Sequence, residues 1–375
     1  MSPKLSILMP SIYFPPRQGG IESHVYFLAR ELARRGHTVK VITTKTEASS
    51  PAGEVMDGIE VRRLPSFGKH FIGWSLGSIF SAPEITYSAK DFDLVHCHTF
   101  ASALGGSVAA LLYGRPLVVT VHSSHFLRMA KNPAMRPPLN LVLRKARALL
   151  STSKEIDTVV AGLVPGAWTV PIVNGIDTGT FKPVAGSLKK DEGEYVIVCP
   201  RRLVAKNGVE FLVRAMGILK DRMKVRLYIT GDGPLAASLG RLARELGVGD
   251  RVVFMGGVEN PRMPSVYSSA DLVVVPSLVE ATSIAALEAM SCERVVAASR
   301  VGGLPEIIDE RVGILFEPGR PEAIAEAVEE ASRRTDMAVL GAEARRRVEE
   351  KWSIGKMTDT HEQIYGKVLE ERGNA

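Results

Sequence analysis

The chain has 375 residues, 45% of them apolar, and a formal net charge of +6. That length is long for one domain and implies two, each with enough apolar residues for a substantial core. Cys97, Cys199 and Cys292 are the three cysteines, and they stand in separate apolar segments without metal-type spacing, so they are expected to be core thiols of a reducing compartment. No apolar run approaches a membrane span, and the start of the chain has neither the long apolar region nor the small-residue cleavage site of a secretory signal. A cytoplasmic location is therefore expected.

The charge is uneven. Through Pro183 there are 20 Lys+Arg against 12 Asp+Glu, and from Val184 onward 27 against 29. A basic first half suits an anionic partner. Nucleic acid is a poor candidate, because no basic stretch is interleaved with aromatics and no recognition module is present. An anionic membrane surface fits better, since residues 126–147 mix apolar and basic side chains as a peripheral amphipathic element does.

In chain order, the first half reads as a strand over 5–10, a helix over 19–35, and strands over 39–43, 59–64, 94–98, 116–122, 148–152 and 168–173. A turn at Asn174-Gly-Ile-Asp177 and a linker from Lys182 close it. The alternation then restarts. Strands are expected over 195–199, 226–230, 252–255, 272–275 and 294–298, with helices over 210–221, 235–246, 282–292, 321–334, 338–351 and 356–371. Two successive βα arrays imply an α/β protein of two doubly wound, Rossmann-like parallel-sheet domains, 1–183 and 184–355.

Several motifs fall where such sheets bind ligands, at the carboxyl ends of strands. Gly19-Gly20 opens the first helix, where free backbone N–H groups and the positive end of the helix dipole suit a phosphate. His122 ends a β-branched strand and is placed for hydrogen bonding or acid–base work. His96 and His98 share one side of their strand; packing is the favoured reading for His96, and metal ligation by the pair is disfavoured for want of a third ligand at the expected spacing. Asp91-Phe-Asp93 has the form of an acidic metal motif but precedes its strand, so it is read as a loop.

In the second half, Arg201-Arg202 and Lys206 follow a strand and suit a diphosphate. Gly231-Asp-Gly233 ends the next strand, and Gly256 the one after. Glu280 follows the buried run ending at Pro276, and Glu288 lies about two turns into the next helix, so the two can converge on one cleft and hold sugar or ribose hydroxyls. Thr282, Ser283 and Ile284 offer helix N-terminal N–H groups to the same ligand.

Gly19-Gly-Ile-Glu22, His122, Asn174-Gly-Ile-Asp177, Arg202-Leu-Val-Ala-Lys206, Gly231-Asp-Gly-Pro234, Glu280-x7-Glu288 and Gly302-Gly-Leu-Pro-Glu306 occur in one order. In this the chain resembles family 4 of the retaining, nucleotide-sugar-dependent glycosyltransferases. The resemblance implies the GT-B fold, with two domains facing a central cleft and a C-terminal helix, 356–375, crossing back to the first. It implies that Glu288 holds the nucleotide ribose, that Glu280 and the backbone of Thr282–Ile284 contact the donor sugar, and that Arg202 and Lys206 neutralise the leaving diphosphate. Gly19, Gly20, Gly231, Gly233 and Gly256 would shape the donor site, and His122 would sit beside the transferred sugar. Pro200, Lys206-Asn207 and Ala281-Thr-Ser283 depart from the family's usual residues.

The implied activity is transfer from a nucleoside diphosphate sugar to a hydroxyl acceptor, with a lipid-linked or envelope glycan precursor as one candidate. No metal or other cofactor is expected, because preorganised positive charge can stabilise the leaving group. The rivals are a sugar-nucleotide epimerase of the same architecture and a non-catalytic sugar-nucleotide-binding scaffold. Acceptor choice is assigned to first-domain loops that include residues 71–75 and 123–128.

Overall fold

A computed structural model describes residues 3–16, 20–45, 50–66, 71–122, 124–172, 174–280 and 282–373. The chain divides into two compact units, Met1–Gly175 together with Ile354–Ala375, and Ile176–Ser353.

The first unit contains β1 (Ser6–Pro10), α1 (Gly20–Arg34), β2 (Thr38–Thr44), β3 (Gly53–Met56), β4 (Ile59–Leu64), α2 (Phe71–Ala89), β5 (Leu94–Cys97), α3 (Ala103–Tyr113), β6 (Leu117–Val121), α4 (Ser124–Lys131), α5 (Arg136–Leu143), β7 (Ala148–Ser151), α6 (Lys154–Leu163) and β8 (Thr169–Pro171). Its sheet runs β3-β4-β2-β1-β5-β6-β7-β8, with only the β3–β4 pairing antiparallel. Alternate residues of β1 face opposite cores, Ile7 and Met9 one and Leu8 the other, as the pleat requires. Strand order reverses between β1 and β5. The loops after these two strands therefore diverge to opposite faces and leave a crevice at their carboxyl ends.

The second unit contains β9 (Tyr195–Pro200), α7 (Val209–Leu219), β10 (Val225–Thr230), α8 (Ala236–Glu245), β11 (Val252–Gly256), α9 (Met263–Ser268), β12 (Leu272–Val275), α10 (Ile284–Ser291), β13 (Val296–Ser299), α11 (Leu304–Ile307), β14 (Gly313–Phe316), α12 (Pro321–Arg333) and α13 (Met337–Lys351). Its sheet, β11-β10-β9-β12-β13-β14, is parallel throughout. Ile197 and Cys199 pack into one core, Val196 and Val198 into the other. Here the order reverses between β9 and β12. Residues 176–183, read from sequence with the first domain, pack in this second unit, where Ile176 and Phe181 are buried in its core.

The last helix, α14 (Ile354–Gly373), belongs to the first unit and packs on α1. Met357, Ile364, Tyr365 and Val368 enter the same core as Ile7, Met9 and Val25, and Arg35 at the end of α1 pairs with Asp359 at 2.8 Å. All three cysteines are buried, and burial pushes each thiol up to about 12, as inert core positions require. Among the described residues no helix is long and apolar enough to cross a membrane. The amphipathic stretch around α4 and α5 turns its apolar side inward: Phe126, Met129, Leu139 and Leu143 are buried in the core, leaving Arg128, Lys131, Arg136 and Arg144 exposed. Residues 71–75, read as a loop, open α2, and 124–128 lie in α4, while Ser123 lies outside the described residues.

Candidate active site

Two side-chain constellations sit at the two strand-order reversals. In the second unit, β9 ends at Pro200 and delivers Arg201 and Arg202, while β12 delivers Ser277 and Glu280. The Arg201 guanidinium donates to Ser277 Oγ at 2.7 Å and pairs with the Glu280 carboxylate, whose Oε2 also lies 3.4 Å from Ser277 Oγ. Glu280 is thereby fixed in position by a charge-assisted contact. The loop that carries it passes so close to Gly302 that a Cβ there would collide with the Glu280 carbonyl, and the φ of +52° at Gly302 also favours glycine. Gly231, at φ +134°, lets the chain after β10 run tightly against the Arg201 carbonyl in the same way.

Ser283 caps α10, its Oγ accepting from the Ala286 N–H at 3.3 Å. Glu288 then faces a cavity of about 370 Å³ that Arg201, Arg202, Gly231, Asp232 and Tyr267 also line. The Tyr267 hydroxyl donates to Glu288 Oε2 at 2.9 Å. Burial pushes the Glu288 carboxyl up to about 7, against the lowering effect of that hydrogen bond. Burial and then the neighbouring Glu288 hold the Tyr267 phenol well above its ordinary value. A carboxylate enclosed beside a phenol, with an exposed arginine at the rim, can accept hydroxyl donors at one end and bind an anion at the other.

Of the residues singled out from sequence, the cavity gathers Arg202, Gly231 and Glu288. Glu280, Thr282, Ser283 and Ile284 stand outside its lining, as do Gly233 and Gly256, although the Gly231 N–H donates to the Gly256 carbonyl at 2.7 Å. Lys206 is exposed and does not line the cavity; its carbonyl accepts from the Leu278 N–H at 2.8 Å. Asn207 is buried, and its Nδ2 donates to the Arg202 carbonyl at 2.8 Å, so it braces the arginine loop. Sequence reasoning named Arg201 with Arg202 for the diphosphate, without its tie to Glu280, and did not single out Tyr267. Arg201 stood beside Arg202 with nothing local to separate their roles, and Tyr267 lies on α9, a short helix that carries no motif.

In the first unit, the reversal between β1 and β5 collects histidines. Five of the eight in the chain, His24, His96, His98, His122 and His361, form one cluster of ring contacts. His122 follows β6 and is half-buried, with its Nε2 3.3 Å from His98 Nδ1. Burial, then His361, pushes it down to about 3, so it is neutral at physiological pH. His96 is fully buried and satisfied on both nitrogens, by the Tyr365 hydroxyl and Thr120 Oγ1, each at 2.7 Å. Gly20 is the first residue of α1 and is exposed, while Gly19 lies outside the described residues. Asp93 accepts from the Ser6 N–H at 2.7 Å and from Ser6 Oγ at 2.8 Å; it secures β1 at the amino end of the sheet, away from the histidines.

Comparison with known proteins gives this geometry a family. The profile described as Glycosyltransferase Family 4 matches residues 18–180, and that described as Glycosyl transferases group 1 matches residues 183–350. An uncharacterized glycosyltransferase of Methanocaldococcus jannaschii is 31% identical over 349 residues, covering 87% of this chain and 88% of the relative. A phosphatidylinositol N-acetylglucosaminyltransferase subunit of Arabidopsis thaliana is 30% identical, covering 88% and 74%. Among solved structures, sucrose-phosphate synthase of Thermosynechococcus elongatus superposes with a TM-score of 0.82 at 25% identity, covering 98% of this chain and all of that one. Anabaena HepE in complex with UDP-glucose shares the fold at a TM-score of 0.74 and 19% identity, covering 98% and 100%. The chain belongs to the family 4 glycosyltransferases and has their GT-B architecture of two Rossmann-like units.

Proposed function

We propose that this glycosyltransferase moves a hexose from a nucleoside diphosphate sugar to a hydroxyl of an anionic polyol, with retention at the anomeric carbon and without a metal ion. The observation that carries the reading is the cavity at the β9/β12 reversal, with the enclosed Glu288 carboxylate beside Tyr267 and with Arg202 at its rim. Glu288 accepts the ribose hydroxyls. Arg202, free of side-chain partners among the described residues, neutralises the diphosphate as it leaves. Glu280 contacts the donor sugar, and Lys206 adds long-range positive charge. The departing phosphate takes the acceptor proton, and His122, neutral and half-buried, serves the acceptor half of the reaction as a hydrogen-bond partner.

Two relatives support a polyol acceptor by name, the Arabidopsis phosphatidylinositol enzyme and the D-inositol 3-phosphate glycosyltransferase of Mycobacteroides abscessus, 31% identical over 346 residues. The excess of basic residues before Pro183 suits such a phosphate-bearing acceptor, and the exposed arginines and lysine of α4 and α5 suit an anionic membrane surface that would present it at the inner face of the cell membrane.

The test is thermal stability against a panel of nucleotides and sugar nucleotides, each in excess chelator. A donor at 100 times its dissociation constant adds about 2.7 kcal/mol. One nucleoside diphosphate series should raise the melting temperature, and Arg202→Ala should abolish the shift for the diphosphates while leaving the unliganded protein unchanged. No shift with any donor, or a shift that appears only when magnesium or manganese is restored, overturns the metal-free donor site. Anomeric configuration of the product, read by NMR, decides retention.

A further inference from the structure

We propose that the first unit holds a binding site for a divalent transition-metal ion of the zinc class, formed by His24, His98 and His122. One ring nitrogen from each lies within 4.8 Å of the other two. The three arrive from separate elements: His24 from the second turn of α1, His98 from the end of β5 and His122 from the end of β6. The separation of His98 Nδ1 and His122 Nε2, 3.3 Å, equals what two nitrogens have on one tetrahedral zinc ion, about 3.3 Å for bonds of about 2.0–2.1 Å.

The hydrogen bonds show lone pairs left without partners. His24 is 3% exposed, and its Nδ1 donates to Asn174 Oδ1 at 2.8 Å. The ring proton is therefore on Nδ1, and Nε2 carries a lone pair. That Nε2 is buried and has no hydrogen-bond partner among the described residues. A ring held through one nitrogen by a carbonyl oxygen, with the other nitrogen open, is how metal-ligating histidines are oriented. His361 is built alike, with Nδ1 donating to the Met357 carbonyl at 2.7 Å and Nε2 unpartnered. Its ring centroid lies 5.8 Å from that of His24, so it borders the three rings. His96 is different: both of its nitrogens are satisfied, and it takes no part.

The donor set selects the ion. Three neutral imidazoles without carboxylate or thiolate suit zinc, copper or nickel and not magnesium or calcium. His122, being half-buried, supplies the way in, and three ligands leave a fourth position open. Resting on the reading that His122 serves the acceptor, an ion here occupies the nitrogen that a substrate would use. It therefore acts as an inhibitor and not as a cofactor.

The experiment uses the tag-free, full-length protein, stripped with chelator and titrated with zinc chloride by calorimetry, with ring-nitrogen NMR of the histidines in parallel. One ion per chain is expected at micromolar zinc, with shifted resonances for His24, His98 and His122. Asn174→Ala, which removes only the group orienting His24, should weaken zinc binding about 10–100-fold, and His98→Gln should abolish it. The NMR arm needs no variant and decides the matter even if a substituted chain misfolds. No stoichiometric binding, unchanged affinity in Asn174→Ala, or shifts confined to other histidines overturns the site. Zinc bound at the three rings without effect on transfer supports the site and removes His122 from the transfer reaction.

Discussion

Glu288 shows how one enclosed carboxyl sets both affinity and its pH dependence. Burial raises its pKa to about 7 in the folded chain, from an ordinary value of 4.5. A raised carboxyl holds its proton longer in the folded state, so its contribution to stability is complete below the ordinary value and is lost as pH rises through about 7. Donor binding runs the other way, because ribose hydroxyls donate to the ionised form. With a pKa of about 7, the ionised fraction rises roughly tenfold between about pH 6 and pH 8, and affinity for a nucleotide sugar should rise by the same factor. A nucleotide sugar is the right probe, since its diphosphate bridge does not titrate in this range. Glu288→Gln should bind more weakly and flatten the profile, while still accepting from the buried Tyr267 hydroxyl. Calorimetric titration at several pH values checks this, and a wild-type profile that is already flat would remove Glu288 from ribose binding. Glu288 and Arg202 were legible in the sequence because a strand followed by a periodic helix fixes where each points. The tie of Arg201 to Glu280 was not, because choosing between adjacent arginines depends on which one Ser277 meets across the sheet.

Among the elements, the loop of Gly302 and Gly303 before α11 matters for its contact with a neighbouring loop more than for its own conformation. Gly302 touches the backbone carbonyl of Glu280, so any Cβ there must push the two loops apart. The left-handed backbone alone costs a non-glycine residue about 1–2 kcal/mol, and the collision adds to it. Gly302→Ala should therefore lower the melting temperature of the second unit by several degrees, at about 2–4 °C per kcal/mol for a domain of this size. It should also cut transfer more than nucleotide binding, because Glu280 moves while Glu288 does not. Unchanged melting and turnover would mean that the two loops are independent. In the second unit β9 to β13 and the main helices were readable from period alone, whereas β14 was not read. In the first unit α2, α3 and α6 were not seen. Phe71–Ala89 carries apolar and small residues on every side and a proline at position 83, and Ala103–Tyr113 is apolar almost throughout, so neither shows a polar face to mark a helix. The stretch from 126 to 147 was legible as amphipathic and basic, but its apolar side belongs to its own core.

Across the whole molecule, the chain returns to its first unit for its last helix, and this makes the two units unequal in their dependence on chain continuity. The second unit is one uninterrupted segment, Ile176–Ser353, whereas the first needs Ile354–Ala375 as well. Composition and the restarted βα pattern made two domains legible, but the histidine cluster was not: His361 and Tyr365 reach His24 and His96 across more than half the sequence, and no local spacing encodes that meeting. In α14, Met357, Ile364, Tyr365 and Val368 are each at most 5% exposed. At about 1.5–3 kcal/mol for burying each such side chain, they contribute on the order of 6–12 kcal/mol, which is comparable to the whole stability of a domain, about 5–15 kcal/mol. Ending the chain at Ser353 should therefore unfold the first unit and leave the second folded. Calorimetry should show one transition lost and the other retained, and the retained one should still shift upward with the nucleotide sugar that binds the full chain. If the shortened chain keeps both transitions at their full-length temperatures, α14 is an accessory to the first unit and the burial of its four apolar residues counts for far less than their area implies.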